Sequence, residues 1–169
     1  MRLVICPAAH LGDVLAETAP DVVIRLASPD DALHDLPPEL PSLALRFHDI
    51  AEPRPGLVAP DRAAIDVLLA FGRAQAGAGT VLLSCFAGIS RSTAAALALA
   101  AALRPDRLET ELARALRDAA PLATPNAGMI ALADTALGRE GRLVAATRTI
   151  GRGADWAPFR SVALDLGPG

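Results

Sequence analysis

The chain predicts a single α/β domain with a central, mostly parallel sheet of four to five strands flanked by helices. Short apolar runs rich in β-branched residues alternate with stretches of helical composition. The 169 residues are enough for one such core and too few for two. Residues 80–103 read as a buried strand, a tight loop and a helix in direct succession. Alternation of this kind lays helices on the faces of a sheet and leaves ligands to bind at the C-terminal ends of its strands.

Leu3-Val4-Ile5-Cys6 and Asp21 to Leu26 are the first two strands, joined by a helical segment from Ala9 to Thr18. Residues 29–41 carry four prolines and mixed acids, a loop with one helical turn around Asp30 to His34. Ser42 to Phe47 is the third strand. It runs into His48 to Pro60, where Pro53, Pro55, Gly56 and Pro60 forbid regular structure and impose a surface loop. Pro60-Asp61 opens a helix through Ile65, Val67, Leu68, Leu69 and Phe71, which the glycines from Gly72 to Gly79 end. Thr80 to Leu83 is the fourth strand, and Arg91 to Leu103 a buried helix.

Beyond Arg104-Pro105-Asp106, the recurrence of Leu108, Leu112 and Leu116 predicts an amphipathic helix from Arg107 to Ala119. Pro121 to Pro125 breaks the chain, Asn126 to Leu137 is a further helix, and helix continues from Gly141 to Ile150. Residues 151–169 read as an irregular tail of the same domain, 1–169.

Composition removes several classes of function. The net charge is −3 and the sixteen cations, all arginine, are scattered along the chain, so no basic field for nucleic acid exists. Cys6 and Cys85 lack the Cys-x-x-Cys or His spacing of a metal site, and neither metal nor cofactor is expected. The longest apolar stretch, Ala94 to Leu103, is half of the ~20 residues that a membrane span requires. The apolar run at Leu3 to Cys6 is too short for a signal peptide, and a thiol kept for chemistry suits the reducing cytoplasm. With few aromatic residues, the core must be built from Leu, Val, Ile and Ala.

Ser84-Cys85-Phe86-Ala87-Gly88-Ile89-Ser90-Arg91-Ser92-Thr93 is where chemistry concentrates. A thiol and a guanidinium stand six positions apart around a glycine, between a strand and a helix start. Unpartnered N–H groups and the positive end of the helix dipole make such a loop an anion site, and Arg91 adds a bidentate grip. Phe86, Ala87, Gly88, Ile89, Ser90 and Arg91 would line it, with Gly88 allowing close backbone approach or a positive φ. The same N–H groups, dipole and guanidinium would make the Cys85 thiol nucleophilic. The alternative for Cys85 is an inert buried thiol; for Arg91, a surface arginine; for Gly88, a simple turn. Cys6, inside a strand, reads as core, with a disulfide to Cys85 as a lesser option.

These residues resemble the signature of the cysteine-based protein tyrosine phosphatases, specifically their compact dual-specificity branch with its small bacterial members. That signature is Cys, five residues, Arg, then Ser or Thr. Here it reads Cys85 to Arg91 followed by Ser92, and Thr124-Pro125-Asn126-Ala127-Gly128-Met129 looks like the Ser-Pro-Asn-x-Gly-Phe stretch of such enzymes. The resemblance spans Asp21 to Leu137. It implies hydrolysis of a phosphorylated protein or small molecule through a cysteinyl-phosphate, with Arg91 holding phosphoryl oxygens and Ser92 hydrogen-bonded to the Cys85 sulfur. It also implies Asn126 as a brace for the loop, against its reading as a plain helix cap after Pro125. An Asp on a second loop would serve as acid and then base. Asp49, 36 positions ahead of Cys85, is the choice, with Glu52 and Asp61 as competitors and His48 as its flank. Asp61 also fits a helix start. Two positions depart from the pattern: Ser84 stands where His often precedes the cysteine, and no Trp-Pro precedes Asp49. A non-catalytic module that binds phosphate or phosphoproteins and a rhodanese-like sulfurtransferase are the rival readings.

Overall fold

The computed structural model describes residues 1–155 and 159–167. Five strands form one sheet: β1 Arg2–Pro7, β2 Val22–Ala27, β3 Ser42–Arg46, β4 Thr80–Cys85 and β5 Val162–Asp165, in the spatial order β3-β2-β4-β1-β5. The first four are mutually parallel, and β5 runs antiparallel on the edge of β1. Six α-helices complete the fold: α1 Leu11–Thr18, α2 Arg62–Ala74, α3 Arg91–Leu103, α4 Glu109–Ala119, α5 Ala127–Ala136 and α6 Arg142–Ile150. Among the described residues, no helix is long and apolar enough to cross a membrane.

The central strands β1, β2 and β4 read as largely apolar runs because both faces of the sheet are covered there, while β3 at the edge exposes Ser42, Ala44 and Arg46. Leu3 and Ile5 of β1 and Val81, Leu83 and Cys85 of β4 face the large core beneath α2 to α6. Val4, Cys6 and Leu82 face the smaller layer closed by Leu11 and Val14 of α1. Helix α3 lies buried from Arg91 to Ala101, and its alanines let neighbouring elements come close. At Gly72 of α2 a β-carbon would collide with the Leu99 side chain of α3, so glycine there is a packing requirement. Asp134 organises the chain after α5, its carboxylate accepting from the N–H of Gly141 at 2.7 Å and of Leu143 at 2.8 Å where α6 begins.

Three expectations change. Asp30 to His34 forms no helical turn: the chain makes a turn at Ser28 to Asp31, where Asp31 N donates to Ser28 O at 3.1 Å, and is irregular after it. Leu108 is not part of the buried helix stripe: it is the residue before α4 and is 62 % exposed, while Glu109, Leu112, Ala113 and Leu116 form the inner face. The segment read as an irregular tail contains β5, with Leu164 and Leu166 buried and Asp165 exposed between them. Four residues make a weak local strand signal, and it is pairing with β1, remote in sequence, that fixes it. Residues 156–158 and 168–169 of that segment lie outside the described residues.

Candidate active site

The turns that follow β2, β3 and β4 leave the C-terminal edge of the parallel sheet together. The β4 turn, Phe86 to Ser90, climbs from the strand into α3, so Cys85 ends a strand and Arg91 begins a helix. Three of its five carbonyls are engaged: Phe86 O accepts from Ala8 N at 3.3 Å, Ile89 O from Thr124 N at 3.0 Å, and Ser90 O from Ala94 N at 3.0 Å and Asn126 N at 3.3 Å. Its donors are not. None of the N–H groups from Phe86 to Ser90 has a protein acceptor among the described residues. Free donors at a helix N-terminus are suited to an anion.

Arg91 is 3 % exposed, and its Nη1 donates to Phe47 O at 2.9 Å and to Ser28 Oγ at 3.4 Å. These bonds fix one side of the guanidinium. Its Nε, buried, has no partner among the described residues, which leaves a donor for an oxyanion. Cys85 Sγ stands 3.1 Å from Ser92 Oγ, both buried, with Ser92 in the first turn of α3.

Asp49 is exposed on the β3 turn, and its Oδ1 accepts from Ser90 Oγ at 2.7 Å and from Asn126 Nδ2 at 2.8 Å. The carboxylate is thereby tied by one oxygen to the Cys85 turn. Asn126 fills both roles weighed for it, because its Oδ1 also accepts from Met129 N at 3.0 Å and caps α5. The approach of α5 to this turn explains Gly128: a β-carbon there would lie 2.5 Å from Ala51 O. His48 closes its own loop, with Nδ1 accepting from Val58 N at 2.9 Å and its N–H donating to Val58 O at 2.7 Å. Asp61 is occupied as the N-cap of α2, accepting from Ala64 N at 2.8 Å. Glu52 is exposed, with no side-chain hydrogen bond among the described residues.

Cys6 and Cys85 sit on neighbouring strands and leave the sheet on opposite faces, and both thiols are free. Cys6 is paired in register with Ser84, and burial pushes its thiol up to about 11 against the opposing effect of the Ser84 hydroxyl, with the Cys85 charge adding to the rise. Ser84 thus belongs to the α1 layer.

Several participants escaped the sequence reading. Arg46 of β3 donates to the carbonyls of Ser28, Pro29 and Asp31 at 3.2, 2.9 and 3.0 Å, and Arg25 of β2 donates to His34 O at 2.7 Å. Together they hold the turn that delivers Ser28 to Arg91. The Asp31 carboxyl lies below its ordinary range, first through the Ser28 N–H bonded to it at 2.8 Å, then through the Ser28 hydroxyl and the charges of Arg91 and Arg46. The only sequence signal for this clamp was the turn composition of Ser28-Pro29-Asp30-Asp31. A cavity of about 270 Å³ opens between this turn and the sheet edge, with Leu11, Ala27, Leu33, Cys85 and Phe86 in its wall.

No family model matches the chain, and no curated protein does. Solved structures do. The crystal structure of DUSP15 matches with a TM-score of 0.61 and 18 % identity over 88 % of this chain and 89 % of that one. The human tyrosine phosphatase-like serine/threonine/tyrosine-interacting protein matches with a TM-score of 0.62 and 20 % identity, covering 82 % of this chain and 92 % of its own. Tk-PTP in its active form gives 0.57 and 20 %, over 81 % and 90 %.

The fold is that of the dual-specificity phosphatases.

Within a dual-specificity phosphatase fold, the Cys85 turn and the Asp49 turn share one edge of the sheet, and Asn126 joins them. The three matches cover 81 to 88 % of the chain at 18 to 20 % identity, which speaks to architecture alone.

Proposed function

We propose that the protein hydrolyses phosphomonoesters through a cysteinyl-phosphate. The observation that supports this reading is the buried Cys85 Sγ, 3.1 Å from Ser92 Oγ, at the head of a turn whose N–H groups from Phe86 to Ser90, and the Arg91 Nε after them, have no partner among the described residues. Binding alone requires these donors and has no use for a nucleophile with a hydroxyl 3.1 Å from its sulfur. The fold neighbours include one named as phosphatase-like and interacting and one in an active form, so the decision rests on side chains.

In the first step the Cys85 thiolate attacks phosphorus. The S–P bond forms as the ester P–O bond breaks, and protonated Asp49 gives its proton to the departing oxygen. Arg91 and the backbone N–H groups hold the non-bridging oxygens as charge spreads over them. In the second step Asp49 takes a proton from water, the water oxygen bonds to phosphorus, and the electron pair of the broken S–P bond returns to sulfur. Ser92 supports the leaving thiolate. Substrates are phosphorylated proteins or small phosphorylated molecules.

Release of p-nitrophenol from p-nitrophenyl phosphate tests the reading. Turnover by the wild-type chain and none by Cys85→Ser is the expected result. Undiminished hydrolysis by Cys85→Ser overturns the mechanism. Inorganic phosphate binding without any turnover would make the protein a phosphate-binding module, and a persulfide on Cys85 after thiosulfate, without phosphate release, would make it a sulfurtransferase.

A further inference from the structure

Residues 153–154 and 159–160 of the C-terminal segment lie against elements that hold the Cys85 turn. Gly153 N donates to Thr124 Oγ1 at 3.0 Å and Ala154 N to Pro121 O at 2.9 Å, so the chain leaving α6 lies along the segment that itself reaches Ile89 and Ser90. Further on, Arg160 reaches α1, with Nη2 3.2 Å from Asp13 and 2.9 Å from Glu17. Pairing of β5 with β1 and a bond from Leu166 N to Met1 O at 3.0 Å secure the end. Between these anchors is Phe159.

Its ring meets Gly88. A β-carbon on Gly88 would stand 2.7 Å from Phe159 Cε1, and 2.8 Å from both the Cys6 carbonyl carbon and Pro7 N. Gly88 is therefore clasped between the end of β1 and the Phe159 ring. Its φ is +69°, one of several conformations that an unconfined glycine visits at similar cost. Rotation out of it would swing adjacent N–H groups away from the cradle. A cleft of about 80 Å³ bounded by Gly88, Leu122, Phe159 and Val162 lies where the ring, β5 and the 120–123 segment converge, so the turn would have space to move if the ring were lost.

We propose that Phe159 is a positioning residue for the anion cradle: its ring, anchored through the pairing of β5 with β1, confines Gly88 to its left-handed conformation and keeps the N–H groups of the turn directed at the bound phosphate. The proposal rests on the reading of Cys85 to Arg91 as a phosphate site. The C-terminal segment, outside the signature in sequence, is then part of the site's scaffold.

Alkylation of Cys85 by iodoacetamide, and its suppression by inorganic phosphate, reports occupancy of the cradle in the full-length chain without any need for turnover. Phe159→Ala is expected to require about tenfold more phosphate for equal protection, with KM for p-nitrophenyl phosphate rising in step. Phe159→Leu, which restores most of the apolar bulk, recovers most of the affinity. Arg160→Ala, which loses only exposed ion pairs, stays within about twofold of wild type. Protection unchanged in Phe159→Ala, or lost only in proportion to the unfolded fraction at the assay temperature, overturns the proposal. If Phe159→Ala does not fold, Phe159→Leu and Phe159→Met decide: affinities graded below wild type support the role, and wild-type affinity in both overturns it. Failure of phosphate to protect even the wild-type thiol overturns the phosphate site and the proposal together. Protection without hydrolysis overturns the catalytic reading alone.

Discussion

Asn126 donates to Asp49 across 77 residues of sequence, Nδ2 to Oδ1 at 2.8 Å, while its own Oδ1 caps α5 through Met129 N. One side chain thus ties the candidate acid to the helix that packs on its loop. Asn126→Ala removes both bonds. Loss of the cap costs about 1 kcal/mol of stability, and loss of the tether lowers kcat by about 10- to 100-fold with a smaller change in KM. Asn126→Asp keeps the cap and sets a second carboxylate against Asp49. Like charges favour the protonated acid, so the alkaline limb of the rate profile moves to higher pH in this variant. Steady-state kinetics across pH with p-nitrophenyl phosphate reads both outcomes.

Asp49 must be protonated to deliver a proton to the leaving oxygen, so activity falls as rising pH removes that proton. Asp49→Asn is expected to lower kcat by about 10²- to 10⁴-fold and to abolish that descending limb. Asp61→Asn separates the two carboxylates weighed for the role. Asp61 is an N-cap, accepting from Ala64 N at 2.8 Å, and Asn caps equally well. Its kinetics should match wild type within about twofold, since only a cap is altered. A crippled Asp61→Asn beside an active Asp49→Asn would move the acid to Asp61.

Ser92 tests the second half of the reaction. Its Oγ is 3.1 Å from Cys85 Sγ, close enough to stabilise sulfur as the S–P bond breaks. Ser92→Ala is expected to slow hydrolysis of the cysteinyl-phosphate more than its formation. Rapid mixing should then show a burst of about one equivalent of p-nitrophenol followed by turnover reduced about 10- to 100-fold. A uniform slowing without a burst would assign Ser92 to orientation of the thiol before attack.

The parts that were legible in sequence are those encoded locally. The Cys85 to Ser92 stretch carries its own glycine, its own arginine and its own flanking strand and helix, so its place between β4 and α3 follows from neighbours in the chain. Strands β1, β2 and β4 announce themselves as largely buried apolar runs for the same reason. What sequence left open depends on long-range contact. Nothing near Arg46 says that its guanidinium clamps three carbonyls of the turn after β2, and nothing near Phe159 says that its ring closes on Gly88. β5 needs the free edge of β1 to exist, and Leu108 looked helical because a periodicity of four cannot tell a first turn from the residue before it. Asn126 shows the intermediate case: a cap is readable from Pro125-Asn126, and a bond to Asp49 is not.

Cys6 gives the fold a predictable weakness at high pH. Burial raises its thiol from an ordinary 9.0 to about 11, against the Ser84 hydroxyl and with the Cys85 charge in the same direction as burial. Between those values the unfolded chain gives up its proton and the folded chain keeps it. The folded state then binds more protons, so the stability it draws from a neutral buried Cys6 is whole below pH 9 and is lost as pH rises toward 11. The chain has no lysine and no tyrosine, the side chains that ordinarily titrate in that window. In a Cys85→Ser background, chemical unfolding is expected to show stability falling by about 2 kcal/mol over the window, and Cys6→Ala to remove that slope. A slope that survives Cys6→Ala would mean that the alkaline sensitivity arises elsewhere, and a flat profile in its presence would mean that the thiol is solvated in the folded chain.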